Sequence, residues 1–352
     1  MDFVDTLASR PALFIGVCVV LGLLIGSFLN VVIHRMPIMM ENAFRAEWAE
    51  LAALGAAKNG TKEAPGVVNI ENAANDASVE GAAPALPDGA APATGEVPPP
   101  SKPPDAEPAR APVYNLVVPR SACPHCKAPI TALQNVPVVS WLALKGKCAN
   151  CQAPISTRYP LVELATGVLS GVVAWHFGFG LAAAAALVFT WFLIVLTMID
   201  FDTKYLPDQL TYPLLWLGLL MSLTHPVWSP GGDPVTPRDS ILGAATGYVS
   251  LWSVYWLFKL VTNKEGMGYG DFKLLAALGA WLGWQMLLPI ILLSSVAGSL
   301  FGIAILIRKR LGKDTEMPFG PYLASAGWLA LVFGHELVDQ YLALTALLAS
   351  KL

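Results

Sequence analysis

Residues 181–208 read LAAAAALVFTWFLIVLTMIDFDTKYLPD. The stretch 181–199 carries no charged side chain, and about 20 such residues cross a bilayer as a helix. Asp200, Asp202 and Asp208 follow at once. An acid at a helix carboxyl end opposes the macrodipole and is costly at the edge of hydrocarbon. Capping gives no account of Asp200, so its cause is sought in function.

Outward from this stretch the same pattern repeats. The 352 residues are 55% hydrophobic and 13% charged, with a mean hydropathy of +0.55. Soluble proteins carry about 25% charged residues. Apolar runs lie near 12–33, 161–178, 181–199, 211–224, 240–262, 272–284, 286–307 and 320–336. They predict an all-α polytopic membrane protein of about eight transmembrane helices. Charge placement orients it. With the amino terminus outside, the inner segments 34–160, 200–210, 259–273 and 308–319 hold 19 of the 22 Lys and Arg, as the positive-inside rule requires. Nothing in the chain points to nucleic acid; the bilayer is its expected surrounding.

The stretch 266–283, GMGYGDFKLLAALGAWLG, places a second acid, Asp271, where another apolar run begins. Capping is an ordinary reason for an Asp there, and Gly268 and Gly270 are turn formers. Paired with Asp200 at the same cytoplasmic level, Asp271 acquires another reading. Two facing carboxylates form an acid dyad in which one activates water and the other donates a proton to a scissile carbonyl. The glycines would let an extended substrate approach the backbone.

The long inner loop divides the chain into 1–37, 38–112, 113–158 and 159–352. In 41–57, Phe44, Trp48 and Leu51 share one helix face, predicting a short amphipathic helix that packs on the loop or lies on the membrane surface. Residues 58–112 are rich in Ala and Pro and predict a disordered spacer. Then CPHC at 123–126 and CANC at 148–151 form two C-x2-C knuckles, the spacing of a four-thiolate zinc site. Cys123, Cys126, Cys148 and Cys151 would hold a structural ion in a zinc-ribbon-like insertion between helices one and two. Strands and turns are expected between the knuckles, with Trp141 in the core. A disulfide pair is the alternative, disfavoured on the reducing side of a membrane.

Together these stretches resemble the type IV prepilin peptidases, membrane aspartic proteases of the GxGD type. GSFLNVVIHRMP (26–37), the paired knuckles, RYPLVELATG (158–167), IDFDTKYLPD, GYGD and PFGPYLASA (318–326) stand in the family's order. The resemblance implies cleavage of a basic leader after a glycine in type IV prepilins and type II secretion pseudopilins. The new amino terminus, usually Phe, would then be methylated with S-adenosylmethionine. It implies Asp200 and Asp271 as the catalytic pair, with Gly268, Gly270, Asp202 and Asp208 supporting them. It also implies a bacterial inner-membrane protein with a periplasmic amino terminus and a cytoplasm-facing site. Gly26, Ser27, Asn30 and Glu163 become candidates for the methyl-transfer or substrate site; helix packing and capping are their other reading. The insertion over about 41–112 is longer than the family usually carries.

Three rivals stay open. An ion- or proton-coupled transporter would use the two acids near the bilayer midplane. A scaffold displaying the zinc module leaves Asp200 without a cause. A peptidase without methyltransferase activity differs in the second step alone.

Overall fold

The computed structural model describes residues 3–58, 114–131, 133–224, 234–264, 266–309 and 318–349. Two compact units are present, Met1–Met39 with Asn115–Leu352, and Met40–Tyr114. The helices are α1 (Phe3–Ser9), α2 (Pro11–Lys58), α3 (Val139–Ala143), α4 (Arg158–Phe177), α5 (Leu181–Thr203), α6 (Asp208–Ser222), α7 (Pro237–Thr262), α8 (Tyr269–Leu282), α9 (Leu287–Lys309) and α10 (Gly320–Ala349).

All eight apolar runs are helical, but they are not equivalent. Among the described residues five helical segments are long and apolar enough to span a membrane. By contrast α6 and α8 have 15 and 14 residues, a rise of about 21–23 Å against about 30 Å of hydrocarbon. Of the two, α6 buries one face and exposes Trp216 and Leu220, whereas α8 is enclosed by protein. Almost every residue of α8 from Phe272 to Leu282 is buried.

Small residues let the neighbours of α8 come close. A Cβ on Gly243 of α7 or on Gly279 of α8 would fall far inside contact distance of the other's carbonyl oxygen. Backbones touch there, as small residues allow in membrane helix pairs. Ser240 Oγ donates to the Ala280 carbonyl at 2.6 Å, and Trp281 Nε1 donates to the Leu214 carbonyl at 2.7 Å. Both bonds satisfy donors that lipid could not. On the other side of the fold, Gly22 and Gly26 of α2 face Ser170, Thr166 and Glu163 of α4.

The amphipathic stretch 41–57 is the continuation of α2 through Pro37. Among the described residues Phe44, Trp48 and Leu51 are exposed. Backbone hydrogen bonds carry the helix on past its apolar run. Beyond Lys58, the predicted spacer lies outside the described residues.

The cysteine region folds as two copies of one knuckle. In the first, the Cys123 N–H donates to Ala128 and the Lys127 N–H to Cys123. In the second, Cys148 donates to Ala153 and Gln152 to Cys148. Lys127 and Gln152 share a left-handed φ of 59°. The expected strands are replaced by a 3-10 turn over Leu133–Asn135 and by α3; two isolated bridges, Ala122 with Pro129 and Lys147 with Pro154, are what remains of β-pairing there. Trp141 explains the helix. Its Nε1 donates to the Ile155 carbonyl at 3.2 Å, and its ring covers Gly146, where a Cβ would meet it at 2.9 Å.

Candidate active site

Asp200 lies in the last turn of α5, 4% exposed. The helix stops just beyond it because Lys204 turns left-handed, with φ 55° and ψ 31°, and returns its N–H to the Asp200 carbonyl at 2.8 Å. Pro207, extended at φ −70° and ψ 130°, then opens α6.

Asp271 comes from the opposite kind of end. Gly268 is the N-cap of α8, and Asp271, three residues on in the first turn, takes the Gly268 N–H on its carboxylate, as an acid at that position does in a capping box. Asp271 is 7% exposed. Capping accounts for that bond but not for the burial of the acid close to Asp200. Leu206, whose Cβ stands beside Gly270, also reaches Gly320, and Gly320 faces Asp200 Oδ2. The fold thus brings both predicted acids into one buried place. Asp200 Oδ2 is the buried side-chain oxygen left without a hydrogen-bond partner among the described residues.

The two glycines before Asp271 do different things. A Cβ on Gly268 would find nothing nearer than Asp271 Oδ2 at 3.9 Å, so that side is open. A Cβ on Gly270 would strike the Leu206 Cβ at 2.7 Å. Leu206, from the link between α5 and α6, is 3% exposed.

Asp202 and Asp208 are tied elsewhere. Arg158 of α4 grips Asp202 through two bonds of 2.6 Å. Lys273 of α8 holds Asp208 at 2.6 and 2.8 Å, with its ammonium 5.1 Å from the Tyr212 ring centre. These pairs pin α5 to α4 and α6 to α8, on either side of the acid pair.

Gly26, Ser27, Asn30 and Glu163 also converge, where α2 crosses α4. A Cβ on Gly26 would lie 2.8 Å from the Glu163 Cα. Glu163 takes a bond from Ser27 and, through Oε2, the N–H of Val138 at 2.7 Å. Asn30 donates to the Tyr159 carbonyl at 3.1 Å. Val138 has φ 58° and ψ −48°, and the Val139 N–H bonds back to Pro137 at 2.5 Å. That is a γ-turn of the rare, strained hand, uncommon for a β-branched residue. Nearby Arg35 is buried, donating to the Asn115 carbonyl at 2.9 Å and the Pro119 carbonyl at 2.6 Å.

The four cysteine sulfurs lie within 4.8 Å of one another, and all are free thiols. Cys123 and Cys151 stand 3.8 Å apart, the edge of a tetrahedron with Zn–S bonds of about 2.3 Å. Cys126 is pulled down to about 6 by the Ala128 amide and then by Asn150. Cys151, against the pull of the Ala153 amide, is raised to about 11 by desolvation and by its thiol neighbours. One thiol is thus ready to bind a cation at neutral pH. The cluster fits a tetrahedral metal with no position open to a substrate.

Sequence reasoning missed Arg158 and Lys273 as partners of the supporting acids, and missed Leu206 and Gly320. A Cβ on Gly320 would lie 2.6 Å from Asp200 Oδ2. The stretch PFGP was the available signal for Gly320; nothing in the sequence singles out Leu206.

Comparison with known proteins follows the same lines. Residues 20–177 match the bacterial peptidase A24 N-terminal domain, and residues 187–303 match the type IV leader peptidase family. Over 342 residues the chain is 47% identical to the prepilin leader peptidase/N-methyltransferase of Stutzerimonas stutzeri, covering 97% of this chain and 98% of that one. That of Pseudomonas aeruginosa is 46% identical with the same coverage. That of Aeromonas hydrophila is 46% identical over 332 residues, 94% of this chain and 95% of its own. No solved structure matches. With both domains matched and relatives this similar along nearly its whole length, the chain belongs to the type IV leader peptidase family, the bacterial A24 peptidases.

Proposed function

We propose that this chain cleaves the leader from type IV prepilins and type II secretion pseudopilins after a glycine, and then methylates the new amino terminus. The observation that carries the first step is the meeting of Asp200 and Asp271 in one buried place, with neither in any of the described ion pairs. Water held between them loses a proton to one carboxylate as its oxygen attacks the scissile carbonyl. The other carboxyl donates a proton, and the C–N bond breaks as the amine is protonated. Asp202 and Asp208, neutralised by Arg158 and Lys273, keep the framework and leave the dyad its own protons. A transporter would want its acids at mid-membrane; here one ends α5 and the other begins α8.

The methyl-transfer step is assigned to the contact of α2 and α4, where Gly26, Ser27, Asn30 and Glu163 converge. S-adenosylmethionine supplies the methyl group when bound. The cysteine cluster is assigned zinc in a structural role, holding the two knuckles together. The charge placement supports an inner-membrane protein with its amino terminus in the periplasm and its site facing the cytoplasm. Prepilins and pseudopilins are thus its partners, within the bilayer.

One experiment tests both steps. Purified protein is given a prepilin and the methyl donor, and the products are weighed. Leader loss followed by a one-methyl gain is expected. Asp200→Ala and Asp271→Ala should cleave nothing yet still methylate pre-cut pilin. Cleavage by either variant would contradict the dyad.

A further inference from the structure

The amino-terminal end of α10 closes on Asp200. Three observations meet there. Asp200 Oδ2 is buried without a hydrogen-bond partner. A Cβ on Gly320 would stand 2.6 Å from that oxygen, 3.1 Å from the Asp200 Cγ and 3.2 Å from Leu206 Cδ1. The first approach is closer than real Cβ atoms make and the other two are tighter than most, and Leu206 blocks one way out. The helix end also offers a donor. Pro321 has no N–H, while those of Tyr322 and Leu323 return to the Phe319 carbonyl at 3.1 and 3.2 Å. The Gly320 N–H is the one directed at the Asp200 carboxylate, from the positive end of a helix.

Leu206 joins this corner to the other acid. Its Cβ fills the space beside Gly270, one residue before Asp271, and its Cδ1 reaches Gly320. One leucine therefore spaces the turn that carries Asp271 from the end of α10, and both glycines are bare because it is there.

We infer that Gly320 is a positioning residue for peptide cleavage: its bare Cα and its amide fix where the Asp200 carboxylate stands relative to Asp271. The inference rests on the dyad reading. A methyl group at 320 pushes the carboxylate aside. Because the displaced group acts on the reacting bond, the loss falls on kcat. Substrate binding, spread over a long peptide, is little changed.

The test uses the full chain, a prepilin for cleavage, and pre-cut pilin for methyl transfer. Gly320→Ala is expected to lower kcat at least about tenfold, since small misplacements of reacting groups are that costly. KM should stay within about twofold, and methyl transfer should be unchanged. Gly327→Ala is the control on the same helix, where a Cβ would crowd Leu278 Cδ2 at 2.5 Å, away from the acids. It should lower the melting temperature and leave kcat within about twofold. A Gly320→Ala enzyme with the parent's kcat overturns the inference. So does Gly327→Ala with an equal loss of kcat, or loss of methyl transfer together with cleavage in Gly320→Ala, because either marks general disruption of α10. Asp200→Asn and Asp271→Asn separate the two readings. If both are inactive while Gly320→Ala is not, the positioning role alone fails; if either still cleaves, the dyad fails first.

Discussion

Asp200 and Asp271 reach one place from helix ends of opposite polarity, and each was legible for a different reason. Asp200 stood out by violating both the helix dipole and the cost of an acid beside hydrocarbon. Asp271 had an innocent explanation in capping, which holds in part, since its carboxylate takes the Gly268 N–H; its burial close to Asp200 goes beyond it. Asp202 and Asp208 were legible as acids but not as ion pairs, because their partners lie 44 and 65 residues away and no local period links them. Glu163 shows how a single residue reports on two parts of the fold. It grips the strained γ-turn at Val138. Glu163→Gln, which weakens a buried bond worth about 1–3 kcal/mol, should speed amide exchange across residues 136–142. It should also slow methylation of pre-cut pilin while leaving leader cleavage intact. Unchanged exchange and methylation would detach Glu163 from both roles.

Among the elements, α8 is the one whose character the apolar pattern concealed. Its length suits neither a full span nor a surface helix, and burial on nearly all sides follows from Gly243 and Gly279. Gly279→Val should destabilise the protein by about 1–3 kcal/mol or more, seen as a lower melting temperature in detergent. The knuckles were legible from the cysteine spacing. The strands between them were not there, because Trp141 bonds to Ile155 and folds the segment as a helix. Metal binding at the knuckles requires thiolates. With Cys126 near 6 and Cys151 near 11, binding displaces the Cys151 proton and is opposed when Cys126 takes one up. Zinc retained per chain should therefore fall as pH drops through about 6, measured by elemental analysis after dialysis. Retention independent of pH would contradict the four-thiolate site.

At the scale of the molecule, the class of the fold and the helical state of the eight apolar runs were legible because lipid imposes long apolar runs. What was not legible is which runs span and which are buried in protein, since hydropathy treats a lipid neighbour and a leucine neighbour alike. The same limit hid Leu206, which acts by shape between Gly270 and Gly320. Yet the whole arrangement exists, on this account, to make two carboxylates act as one group. Groups that act as one lose their effect together. The decisive measurement is leader cleavage by Asp200→Asn, by Asp271→Asn and by the double variant, under identical conditions. Each single change is predicted to cost at least about 10²–10⁴-fold, and the double change no more than either. Losses that multiply, or a single variant that still cleaves, would show that the two acids do not share a site.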